Sequence, residues 1–143
     1  MEALFRRAIA VDHASLQRLQ VELAAFLAES PLSERARHGV ELACEELLLN
    51  AIEHGLAGRP GDAHRIEFEL SLGERVEIRI RDDLPSFDPT RQPPPARAES
   101  LATVRPGGRG IELVRRIARR FAWRPAGSSG NVLEVELHDD EAR

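Results

Sequence analysis

Glu41-Leu42-Ala43-Cys44-Glu45-Glu46-Leu47-Leu48-Leu49-Asn50-Ala51-Ile52-Glu53-His54-Gly55 reads as one helix carrying two stripes. At roughly 100° per residue, Val40, Cys44, Leu47, Leu48 and Ala51 fall within about a third of the circumference and form an apolar face. Glu46, Asn50, Glu53 and His54 fall on a second stripe along the edge of that face. Glu46 and Asn50 are then one turn apart, with side chains pointing the same way. A solvated polar face belongs mostly opposite the core; a carboxylate and a carboxamide at its border are placed to line a pocket. Asn is a middling helix former, so local propensity gives no reason for it in mid-helix. Ser33 can cap this helix, with Glu34 in its first turn, and Gly55, Gly58, Pro60 and Gly61 mark its end.

Outward from this helix, the N-terminal side holds a strand over residues 4–11 with partial alternation. Asp12 is a plausible cap for a helix in which Leu16, Leu19, Leu23, Phe26 and Leu27 recur at helical spacing, ending near Ala28. On the C-terminal side, residues 64–70 and 75–81 alternate cleanly and are joined by a hairpin connection over 71–74. One face of that pair is apolar and the other charged, so the sheet is covered on one side only. Residues 90–106, with Pro93-Pro94-Pro95 and little apolar periodicity, read as a long mobile loop of the kind that is usually either functional or disordered. Gly107-Gly108-Arg109-Gly110 opens a further helix with Ile111, Val114, Ile117, Ala118 and Phe121 on one face. Phe121–Arg124 then turns into a strand, and Asn131 to Leu137 forms the last one, before a frayed tail at 138–143. The order predicts one α+β domain over 1–143: a two-layer α/β sandwich, with helices on one face of a mostly antiparallel, mixed sheet.

Composition narrows the chemistry. A chain of 143 residues makes one ordinary domain that needs no disulfide or metal to fold. The single cysteine, Cys44, excludes an intrachain disulfide or a multi-cysteine zinc site and suits a reducing compartment. Without a membrane-length apolar run or a signal-peptide pattern, the expectation is a soluble, cytoplasmic protein. A formal charge of −4 argues against a dedicated nucleic-acid binder. All 20 basic residues are arginine. The absence of lysine removes the Walker-type phosphate loop, the common protein-kinase fold and Schiff-base chemistry.

Three features then bear on one another. Glu46 and Asn50 share a helix edge, Asp82 ends a strand, and Gly107–Gly110 forms a glycine-rich turn at a helix N-terminus. That turn frees backbone N–H groups and adds the positive end of a helix dipole, which suits phosphate. An Asn oxygen is a hard, neutral ligand that Mg²⁺ accepts beside phosphate oxygens and water. An Asp at a strand end can accept a hydrogen bond from an exocyclic amine such as adenine's.

The residue types and their order resemble a family. Glu46-x-x-x-Asn50-Ala51-Ile52-x-His54-Gly55, then Asp82 with Phe87-Asp88-Pro89, then Gly108-Arg109-Gly110-Ile111, are similar to the three ATP-binding boxes of the histidine-kinase-like ATPases. The His-Gly ending, the Phe-Asp-Pro and the Gly130-Asn131-Val132 after the last helix resemble the anti-sigma-factor serine kinase branch. The resemblance implies ATP and Mg²⁺ as cofactors, with Asn50 holding Mg²⁺ and Asp82 reading the adenine amino group. It implies Gly108, Gly110 and Arg109 at the phosphates, under a lid over about 90–107. Glu46 is implied as the general base for a partner protein's serine. It further implies an anti-anti-sigma substrate of the sulphate-transporter/anti-sigma-antagonist type, a sigma factor as binding partner, and a homodimer. Two positions depart from the pattern: Leu84 stands where the second box has glycine, and Val132 where a threonine often assists the Asp. The alternative is therefore a module of the same fold that sequesters a regulator without phosphoryl transfer. A third reading takes Arg115, Arg116, Arg119, Arg120 and Arg124 as a basic face on the last helix; a solvated face explains it better.

Overall fold

The apolar alternation of the hairpin sets the middle of the molecule. In the computed structural model, which describes residues 2–56, 64–91, 106–127 and 129–138, it forms strands β2 (Arg65–Leu72) and β3 (Val76–Asp82). With β1 (Ala3–Ala10), β4 (Ala118–Pro125) and β5 (Asn131–Leu137) they build a sheet of order β1-β2-β3-β5-β4. Every described pairing is antiparallel, a simpler sheet than the mostly antiparallel, mixed one expected. Ile66, Phe68, Leu70, Ile78 and Ile80 point to one face and are fully buried, each contributing about 1.5–3 kcal/mol by leaving water. The other face carries charge, and its cross-strand neighbours alternate in sign: Arg6 opposite Glu69, Glu69 opposite Arg79, Arg79 opposite Glu134. Arg6 and Glu69 approach to 2.9 Å. Exposed pairs of this kind add at most ~1 kcal/mol each; their main effect is to keep this face in water.

Three helices cover the apolar face. In α1 (His13–Ala28), the Asp12 carboxylate accepts a hydrogen bond from Ser15 N at 2.6 Å, so the expected cap forms. In α2 (Glu34–Leu56), Ser33 Oγ accepts from Ala36 N at 3.1 Å. Val40, Cys44, Leu47 and Leu48 of α2 are buried as the stripe requires, and Ala51 is half-buried. Burial pushes the Cys44 thiol up to about 12, which leaves it inert near neutrality. The third helix, α3 (Pro106–Ile117), buries Ile111 and Val114. It packs against α2, as α1 does, and one apolar cluster joins all three helices to the sheet.

One boundary differs from the sequence reading. Ala118 and Phe121 leave the helix, which ends at Ile117, and belong to β4. Phe121 and Trp123 stand opposite Val135 and Leu133 of β5, so a cross-strand ladder competes with the helical pattern here and prevails. The basic face expected on the last helix is thereby divided. Arg119, Arg120 and Arg124 lie on the strand, with Arg119 3.7 Å from Glu136 and Arg124 3.5 Å from Glu134. Residues 92–105 of the expected lid and 139–143 of the expected tail lie outside the described residues. No described helix is long and apolar enough to cross a membrane.

Candidate functional site

The inward register of β3 runs Ile78, Ile80, Asp82, so its last residue inherits a core-facing position. Asp82 is 8% exposed. Its Oδ1 accepts hydrogen bonds from Leu84 N at 3.0 Å and Asn131 Nδ2 at 2.8 Å. Burial pushes the Asp82 carboxyl above its ordinary value, against these two bonds, which pull it down. Asn131 is the cross-strand partner of Asp82. Its Oδ1 accepts from Phe87 N at 2.9 Å and from the indole of Trp123 at 2.8 Å. Its Nδ2 also donates to Pro85 O at 3.2 Å. All four hydrogen-bonding capacities of a buried amide are in use. Gly130, at φ +109°, lets the backbone pass beside Asp82; a Cβ there would lie 2.5 Å from Asp82 O.

On α2, Asn50 is 3% exposed, and its Oδ1 is sealed from solvent with no hydrogen-bond partner among the described residues. One turn earlier, Glu46 Oε2 is likewise sealed and unpaired among the described residues. Burial, with Glu45 and Glu53 nearby, raises the Glu46 carboxyl above its ordinary value. The carboxylate lies against Gly110 of α3, leaving no room for a Cβ there. His54, in the last turn of α2, stacks on Phe87 with ring centroids 4.5 Å apart and planes 9° from parallel. Leu47, Asn50, His54, Asp82, Leu84, Phe87 and Asn131 enclose a hollow of about 20 Å³.

The fold thus brings together most of what the sequence singled out. Glu46 meets Gly110, and Asn50 shares a hollow with Asp82. Gly108 and Arg109 lie on the backbone of the first turn of α3, and the Arg109 side chain lies outside the described residues. Asn131 was missed. Val132, read as lacking the hydroxyl that often assists the Asp, pairs with Arg81, and the amide beside Asp82 belongs to the preceding residue. The available signal was an Asn, unfavourable in strands, opening a strand directly after a glycine.

Donor chemistry suits Mg²⁺ and phosphate. The buried, unpaired Asn50 Oδ1 is a hard, neutral ligand, and the opening turn of α3 offers free N–H groups. The hollow between Asn50 and Asp82 is narrow, with room for about one water.

The comparisons agree with this architecture. The histidine kinase-like ATPase domain matches residues 9–137. Serine/threonine-protein kinase BtrW of Bordetella bronchiseptica is 32% identical over 92 residues, 64% of this chain and 63% of BtrW, so the match spans less than two thirds of that relative. The RsbU and RsbW domains of Rv1364c from Mycobacterium tuberculosis superpose with a TM-score of 0.62 over 95% of this chain and 32% of that one, at 14% identity. The histidine kinase domain of the Erythrobacter litoralis EL346 blue-light-activated histidine kinase gives 0.50 over 87% of this chain and 63% of that one, at 16% identity. At these identities the two structures speak for the fold. With the family match covering most of its length, the chain belongs to the histidine kinase-like ATPase domain family.

Proposed function

We propose that this chain is an ATP- and Mg²⁺-dependent protein serine/threonine kinase of the anti-sigma-factor type that acts in the cytoplasm as a homodimer. It binds a sigma factor and phosphorylates an anti-anti-sigma protein of the sulphate-transporter/anti-sigma-antagonist class. The observation that carries the reading is the pair of sealed, unpaired oxygens, Glu46 Oε2 and Asn50 Oδ1, a turn apart on α2. Likeness to a protein named as a serine/threonine kinase, and in fold to a structure containing an RsbW domain, supports it.

In this reading Asn50 holds Mg²⁺, which when bound neutralises phosphate charge. Asp82, fixed by Asn131 and Leu84 N, accepts from the adenine amino group. Gly108 and Arg109 face the phosphates beneath the lid over 90–107. Glu46 accepts the proton of the partner's serine hydroxyl as that oxygen takes the γ-phosphoryl group and ADP departs. A carboxylate whose proton affinity is raised by burial suits this task.

Transfer from labelled ATP to purified anti-anti-sigma proteins encoded nearby tests the reading, together with titration calorimetry of Mg–ATP. Glu46→Gln should keep ATP binding while losing at least ~100-fold in transfer. Equal transfer by that variant would remove Glu46 from the chemistry. A second reading, the same fold binding a regulator without phosphoryl transfer, is favoured by Leu84, which is 1% exposed and fills part of the base hollow. No calorimetric binding at millimolar nucleotide would establish it over the first.

A further inference from the structure

Sequence reasoning assigns Gly110 to phosphate, because Gly-Gly-x-Gly opens a helix. The geometry supplies a different and more local constraint. A Cβ built on Gly110 would overlap the Glu46 carboxylate, whereas one built on Gly39 of α2 would meet only methyl groups of Ile117 and Leu137 at 3.8 Å, an ordinary contact. Gly110 is therefore not there to let helices approach in general; it is where one side chain ends. Among the described residues, nothing hydrogen-bonds Glu46 Oε2 in that seat. A donor there would hold the carboxylate in place but lower its proton affinity. A seat made by shape alone fixes the group and leaves its basicity intact, in line with the upward shift that burial gives it.

We infer that Gly110 is a positioning residue for the base: its missing side chain is what lets the Glu46 carboxylate rest against α3. This rests on the reading of Glu46 as general base and extends it. Glycine is a poor helix former and alanine the best, so local propensity opposes glycine at this position inside α3. The atoms that would clash, Cγ, Cδ and Oε2 of Glu46, all belong to one flexible side chain. An added methyl therefore displaces the carboxylate and leaves the helix in place.

The test is Gly110→Ala in the full chain, assayed by steady-state transfer from labelled ATP to an anti-anti-sigma protein, with thermal unfolding alongside. The expected result is a thermal midpoint equal to or above the parent's, a KM for ATP within about twofold, and kcat lower by at least ~10-fold. A raised KM with unchanged kcat would return Gly110 to the phosphates and overturn the inference. So would a lower thermal midpoint. Undiminished transfer by Glu46→Gln would defeat the base reading and this one together. Loss in Glu46→Gln with none in Gly110→Ala would defeat this one alone.

Discussion

Glu46 carries a cost in stability. Its folded-state carboxyl titrates above the ordinary value of 4.5, chiefly because burial disfavours the charge. Between that ordinary value and the raised one, the folded protein binds more protons than the unfolded chain. Stability therefore falls as pH rises through this window, and the loss is complete above it. Glu46→Gln removes the charge, so near neutrality the variant should unfold at a higher temperature than the parent. The gain should vanish below pH 4.5, where both chains are neutral at this position. Thermal scans across that range check it, and a gain that persists at low pH would show packing, not charge, to be the cause. Helical periodicity alone made Glu46 and Asn50 legible, because both the face and its edge follow from spacing. Asn131 was not legible in that way. Its place beside Asp82 follows from the register of two strands that are 49 residues apart at the contact, and no local pattern encodes that register.

Among the elements, the turn between β4 and β5 shows two glycines with unequal reasons. Gly127 has φ +80° and open space around its Cβ position; Gly130 has φ +109° and faces Asp82 O. Gly127→Ala should cost only the left-handed penalty, about 1–2 kcal/mol. Gly130→Ala adds a clash with backbone that cannot turn aside, for a total of about 2–5 kcal/mol. Urea unfolding of the two variants measures the difference, and equal losses would mean that Gly130 is set by its φ alone. Because that backbone abuts Asp82, Gly130→Ala should also weaken nucleotide binding. Long periodic elements were readable from sequence: the two-stripe helix, the alternating hairpin and the capped first helix all form where expected. The end of α3 was not readable. Ile117, Ala118 and Phe121 satisfy a helical period, while Phe121 and Trp123 also satisfy a strand period. The choice belongs to β5, which supplies partners from across the sheet.

At the scale of the whole molecule, the proposed function sets stability and nucleotide access in competition for one volume. Leu84 is 1% exposed and lines the hollow that holds Asn50 and Asp82, so under that proposal the side chain that completes the core also fills the space a purine needs. Leu84→Gly should cost about 2–5 kcal/mol for the lost side chain and about 0.5–1 kcal/mol more for backbone freedom. Against a typical total of 5–15 kcal/mol, the variant folds with little margin. The backbone N–H at 84 still donates to Asp82, so the carboxylate keeps its orientation. The enlarged hollow should then bind Mg–ATP about tenfold more tightly, a change of about 1.4 kcal/mol. Nucleotide at 100 times its dissociation constant returns about 2.7 kcal/mol of stability. The variant should thus unfold at lower urea than the parent in buffer and recover more than the parent does when Mg–ATP is added at one fixed concentration. Weaker binding would mean that Leu84 is a wall against which the base packs, and that room for a purine comes from the His54–Phe87 pair moving apart.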